Sequence, residues 1–477
     1  MQQPRPKAWA VVSLASLLAV MACTGVSLPG LPQAETTPIS DDSDDPSDLP
    51  EDRDPATDQT PAEGAEMSFP AVGRLIVLGS DGNLTLFEGG LEPRAITSDA
   101  ERTDDFRRVY LHPTWSPNGW LSYVQLDLQD QSQATVRVLA TRPGNEMDPV
   151  LLYESMTSQY VYGYWSPAVC ENGVNCGRFA YLINDLARPG LDLHLAQVND
   201  EAADDDIIES GGSIYYSWAP SGEELFWFRN SETLAIYDVA SDSLDDDVDD
   251  DPGRFQAPAW SPLDNRLLFA REDGGINALT IIDGDRQQAL GSSVGGAVFF
   301  SWSPNGEAVA HVHGQPGQPY SPVVIVSSDG GEETVYSDLS DVLAFFWSPD
   351  SSKLAVVTVE PFEAQPQANA NGHTRLMSYQ AQQPDFVLVW SVIEVETGDI
   401  ARLASFLPTS EQFYILSFFD QYAQSHRLWS PDSRYLVYAA ADPDTEDAEI
   451  MLLDTTTPGA SPLSVTNGVQ AIFTFGE

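Results

Sequence analysis

From Gly73 onward the chain alternates short apolar runs with polar breaks rich in glycine, proline, serine and aspartate. The clearest breaks share one phrase: WSPNG from Trp115, WSPAV from Trp165, WAPSG from Trp218, WSPLD from Trp260, WSPNG from Trp302, WSPDS from Trp347 and WSPDS from Trp429. Behind each lies an apolar run: WLSYV from Trp120, RFAYLI from Arg178, ELFWF from Glu224, RLLFA from Arg266, AVAHV from Ala308, KLAVV from Lys353 and YLVYA from Tyr435. Ahead of most lies another, often aromatic, as in YVYGY from Tyr160 and AVFFS from Ala297. The β-branched and aromatic content predicts strands. Proline sets φ at about −65°, and Asp, Asn, Ser or Gly after it suits a tight turn, so each phrase predicts a β-turn between two strands.

A third strand follows after a variable gap, as in LAIYDV from Leu234 and EIMLLD from Glu449. One repeat is therefore a meander of about four strands, the unit of a β-propeller blade, and the tryptophan offers a flat apolar surface for a stacked neighbour to bury. The intervals between motif tryptophans are 50, 53, 42, 42, 45 and 82 residues. The long interval reads as one blade with two insertions, because Phe386–Trp390 and Ile400–Leu403 supply its outer strands. Before the first motif, Gly73–Leu78 and Asn83–Phe87 predict a hairpin through Ser80-Asp81-Gly82, with no WSP ahead of them. At the other terminus Val469–Phe475 looks like a strand that elsewhere precedes a WSP. The last strand is expected to complete the first blade, since such closure removes open sheet edges. The expectation is an all-β propeller over residues 69–477, with eight blades of four-stranded antiparallel sheet, or seven if one repeat is degenerate.

The first residues have a different character. Arg5 and Lys7 precede an apolar stretch from Ala8 to Val20, too short to span a bilayer as a mature helix. Val20-Met21-Ala22-Cys23 resembles the lipobox of bacterial lipoproteins, which implies removal of residues 1–22 as a signal peptide and acylation of Cys23. Several acyl chains, at about 0.8 kcal/mol per buried CH₂, would anchor the protein to the outer face of a bacterial membrane. Residues 23–68 are dominated by Pro, Thr, Ser, Asp and Glu, including DDSDDPSD from Asp41. Such a composition buries too little surface to offset ordering entropy, so this segment is expected to be a disordered tether.

Charge narrows the range of partners. Lys and Arg total 22 against 72 Asp and Glu, a net charge of −50. That excludes nucleic acid as an expected partner, because phosphate binding needs basic patches. The acidic runs Asp204–Asp206 and Asp245–Asp251 offer carboxylates for Ca²⁺ but lack the spacing of a defined calcium loop, so no cofactor is expected. Cys170 and Cys176 flank the reversal signal Asn172-Gly173 and are expected to form a disulfide in an oxidising compartment, stabilising that loop by roughly 2 kcal/mol.

The order of strand, W-S-P-[DN]-[SG], strand and hairpin resembles the TolB-like propeller repeats, relatives of WD repeats that also occur in non-catalytic domains of prolyl-oligopeptidase-type enzymes. The resemblance covers nearly all of residues 70–477. It implies an interaction platform, a ligand-binding module or a cap over a hydrolase domain.

Catalytic motifs are weak. Gly291-Ser292-Ser293-Val294-Gly295 matches G-x-S-x-G but lacks the following helix of a nucleophile elbow. His311 and His313 share a strand face, where packing or hydrogen bonding is the ordinary role. Function is sought in irregular stretches instead. One is a long loop, Pro361–Pro384. The other is Phe418–Leu428, inserted where other blades pass directly from strand to motif; Asp420, Gln421, Tyr422, Ser425 and His426 are its candidates for contacting a ligand or partner at the channel mouth. The same stretch also reads as a loop that plugs or rims the channel. The expected role is a binding platform for a protein or envelope polymer; the alternative is a propeller hydrolase or lyase acting on peptide or glycan.

Overall fold

The computed structural model describes Pro70 and residues 72–475, apart from 104, 130–132, 145–147, 169–176, 317, 362–385, 443–444, 446 and 458. Its strands form eight antiparallel sheets, the blades of a propeller. Blade 1 combines both ends of the chain: Gln470–Phe473 is its inner strand and pairs with Arg74–Leu78, with Ile76 opposite Ile472. Blades 2 to 8 follow in order over residues 101–155, 158–210, 214–245, 259–294, 297–336, 342–406 and 435–467. The 82-residue interval is a single blade, whose outer strands are Phe386–Glu394 and Ile400–Phe406.

The motifs of blades 2, 4, 5, 6, 7 and 8 are hairpin turns. In blade 8 the Ser433 amide donates to the Ser430 carbonyl, and the Ser430 Oγ accepts from the Tyr435 amide at 2.8 Å. The fourth turn residue lies in the left-handed region in several blades, as glycine in three and as Ser351 (φ 63°) and Ser433 (φ 59°) in two. These serines tolerate a conformation that disfavours a β-carbon and give it a use. Ser351 Oγ accepts the Asn305 amide of the preceding turn at 3.0 Å, and Ser433 Oγ accepts the Asp350 amide at 3.1 Å.

The motif tryptophans join neighbouring blades. Trp115, Trp165, Trp218, Trp260, Trp302, Trp347 and Trp429 are all buried. In four of them the indole N–H donates to the carbonyl of the residue just before the previous blade's tryptophan: Trp165 to Thr114, Trp218 to Tyr164, Trp347 to Ser301 and Trp429 to Phe346, at 3.0–3.3 Å. The tryptophan thus supplies both apolar area and a fixed register between sheets that share no ladder.

Candidate functional site

Blade 8 departs from the expected four strands. Its sheet has three, Tyr435–Ala441, Ala448–Asp454 and Leu463–Asn467, and its inner strand is split. The Ala441 amide bonds the Leu407 carbonyl at one end, and the Val437 amide bonds the Leu428 carbonyl at the other. Between them the chain leaves the sheet as two helices, α1 (Ser410–Ser417) and α2 (Phe419–Tyr422). Thr409 caps α1, its Oγ1 accepting the Gln412 amide at 3.1 Å, and Glu411 sits favourably in the first turn. Gln412 Oε1 accepts the Ala439 amide at 3.1 Å, taking the place of the missing strand. Of the stretch expected as a loop, Phe419–Tyr422 is helical, and its polar side chains bond the surrounding strands.

The helices fill the channel. Phe419 packs with its ring centroid 4.6 Å from Phe345 of blade 7, and it also meets Phe299 and Tyr320 of blade 6. Asp420, Gln421, Tyr422, Ser425 and His426 are brought together within this insert, 1–3% exposed, inside the channel. Asp420 Oδ2 accepts the Ala257 amide of the chain entering blade 5. Burial pushes its carboxyl up to about 6, against the pull of the amides it accepts. Gln421 pairs with the backbone of Tyr216 in blade 4. The Tyr162 hydroxyl of blade 3 lies 2.9 Å from the Gln421 carbonyl and 3.0 Å from Ser425 Oγ. Tyr164 donates to Gln424 Oε1 at 2.8 Å. The Tyr422 ring meets Tyr162 edge-on at 4.9 Å and His426 at 4.7 Å. Burial, with His112 nearby, holds His426 down at about 3, so its imidazole is neutral.

Two further residues were not among the sequence candidates, although Arg427 lies within the insert Phe418–Leu428. His112 is half-buried on the inner strand of blade 2 at φ 51°, with its ring 5.3 Å from Tyr160. Arg427 sits two residues before Trp429, where the other motifs carry Pro113, Gly163, Tyr216, Pro258, Phe300 and Phe345. That charge in an otherwise uncharged position was the available signal. Arg427 and His426 line a cavity of about 160 Å³ with Trp302, Trp347 and Trp429 and the turn prolines Pro304 and Pro349. It lies on the face that carries the WSP turns, and Pro304, Pro349, Gln424 and Arg427 at its rim are only partly buried.

The remaining candidates are dispersed. Ser292 lies on the outer strand of blade 5 and hydrogen-bonds Glu333 Oε2 at 3.2 Å. His311 is buried on Ala308–Gly314, and burial lowers it to about 4. Asp205 Oδ2 meets His194 Nδ1 at 2.9 Å, while Asp249 and Asp251 face Arg271. Among the described residues no group of three or more His, Cys, Asp or Glu side chains is arranged to hold a metal ion. Cys23, Cys170, Cys176 and nearly all of the Pro361–Pro384 loop lie outside the described residues. No described helix is long and apolar enough to cross a membrane.

No family model matches the sequence, and no curated protein matches it. Among solved structures the chain is similar to TolB from Acinetobacter baumannii, with 14% identity over 76% of this chain and 81% of that one and a TM-score of 0.35. It is similar to oligogalacturonate lyase from Vibrio parahaemolyticus, with 13% identity over 80% and 98% and a TM-score of 0.44. A puromycin-hydrolyzing peptidase of Mycobacterium tuberculosis matches at 16% identity over 63% and 50%, with a TM-score of 0.41. TM-scores this low carry no argument about function. The class follows from the chain's own sheets and turns: an eight-bladed β-propeller.

Proposed function

We propose that this protein is an exported, lipid-anchored binding platform for a protein or envelope polymer. In this reading Cys23 carries the acyl anchor, residues 23–68 form an acidic tether, and a Cys170–Cys176 disulfide stiffens a loop on blade 3. The observation that carries the reading is the filled channel. The space where several blades would converge on a substrate holds α1, α2 and the turn after them, whose polar side chains bond blade 3 through Gln424, blade 4 through Gln421, the chain entering blade 5 through Asp420 and blade 8 through Gln412. A braced disk of this kind offers its two faces and loops for recognition. The test combines two measurements. Labelled palmitate should enter the wild-type protein and not Cys23→Ser, which should leave the membrane fraction. Crosslinking in intact cells should then recover a defined partner with wild type. Aqueous partitioning of the wild-type protein, or turnover of peptides or glycans by the purified propeller, would overturn the reading.

A further inference from the structure

We propose that the cavity between blades 6, 7 and 8 is a binding site for a small carboxylate, with the Arg427 guanidinium as its donor. The inference stands on the cavity and is independent of the platform reading.

Arg427 is the first observation. In a chain where acids outnumber bases by 72 to 22, Arg108, Arg137, Arg188, Arg266 and Arg434 all sit within 3 Å of a carboxylate. Arg427 makes no ion pair among the described residues; its guanidinium carbon lies 4.2 Å from the centroid of the Phe475 ring. Burial alone lowers it, to about 10, so it remains charged. A cation that is partly buried and has no carboxylate beside it favours an anion there.

His426 is the second and independent observation. It is 2% exposed, and its Nε2 is buried with no hydrogen-bond partner among the described residues. The Gln421 carbonyl can only accept, so it takes the Tyr162 hydroxyl proton. Ser425 Oγ lies 2.8 Å from His426 Nδ1. Nε2 is therefore the ring's unpartnered nitrogen, in a residue that lines the cavity.

The site's chemistry selects its ligand. A planar guanidinium matches the two oxygens of a carboxylate, and one full positive charge suits a monoanion rather than a phosphate dianion. Trp302, Trp347 and Trp429 line it together with Ser301 and Gln424, so the skeleton that carries the carboxylate meets both aromatic faces and polar groups. A volume of about 160 Å³ accepts a benzoate-sized group. Such a carboxylate comes either as a free acid or as the C-terminal residue of a peptide.

The experiment is NMR or calorimetric titration of the full chain with benzoate, N-acetylphenylalanine and N-acetylphenylalanine amide. Wild type should bind at least one of the two acids and not the amide. Arg427→Gln should weaken binding at least tenfold, and Arg427→Lys, which keeps charge without the fork, should lie between them. The lysine variant carries the test if the glutamine variant does not fold. Binding of N-acetylphenylalanine alone assigns the site to a peptide terminus, and binding of benzoate alone to a free acid. The proposal is overturned if neither acid binds at millimolar concentration or if Arg427→Lys binds as wild type does. It is also overturned if binding appears only after removal of residues 476–477, which would make the protein's own terminus the occupant.

Discussion

Gln421 and Tyr216 exchange two hydrogen bonds across the channel. The Tyr216 amide donates to Gln421 Oε1 at 3.2 Å, and Gln421 Nε2 donates to the Tyr216 carbonyl at 2.9 Å. A side-chain amide thus makes the rung that a further strand would make, and it does so on the inner edge of blade 4. The plug is held by imitating a ladder, which satisfies backbone groups that channel water would otherwise serve.

Gln421→Ala leaves both Tyr216 backbone groups buried and unpaired. At about 1–3 kcal/mol for each group left unpaired, the loss is expected to be about 2–6 kcal/mol. Urea unfolding checks this: the midpoint should fall while the slope stays unchanged. A change under 0.5 kcal/mol would mean that water reaches the channel.

Asp420 and His426 impose opposite pH dependences. The Asp420 carboxyl is raised to about 6, so its folded form holds a proton that the unfolded chain releases; stability is highest at low pH and falls as pH rises through about 6. His426 is lowered to about 3, so its stabilisation is present above the ordinary histidine range and is lost as pH falls. The two oppose each other in wild type. Asp420→Asn should separate them, with its stability relative to wild type rising between pH 4 and 6 by on the order of 2–3 kcal/mol and then levelling. A difference independent of pH would show that Asp420 ionises freely.

Gly222 tests the contact between turns. Its φ is 68°, and an added β-carbon would sit 2.0 Å from Ser166 Oγ and 2.7 Å from the Ala168 β-carbon of the preceding blade. Gly222→Ala should cost about 2–4 kcal/mol from strain and overpacking together. Pairing it with Ser166→Ala should recover part of the loss, as measured by a double-mutant cycle.

Ring closure is tested by ending the chain at Asn467. The strand Arg74–Leu78 would lose its partner Gln470–Phe473 and present an open apolar edge. Light scattering should show association of the shortened protein, and adding a peptide of residues 468–477 should suppress it. A monodisperse shortened protein would place the stability of the ring in its tryptophan contacts instead.

The legible part of this protein was the part repeated in it. WSP turns, the strands around them and the complementary fragments at Arg74–Leu78 and Gln470–Phe473 gave the blades, their number and their closure. The insert before Trp429 was legible as a loop that plugs or rims the channel, and its helices were not. Its candidates Asp420, Gln421, Tyr422, Ser425 and His426 do gather, but inside the channel. Arg427, one residue further on, faces the open cavity.

Turn and strand preferences act over a few residues, so the sequence by itself determined the blade, its period and the seam where the ends meet. Tertiary structure alone decided what fills the ring. Asp420 finds its amide partner 163 residues away and Gln421 finds its own 205 residues away. Whether a side chain is buried, paired or left unpaired depends on strands from distant blades. No local pattern records those neighbours, because they become neighbours only when the ring closes.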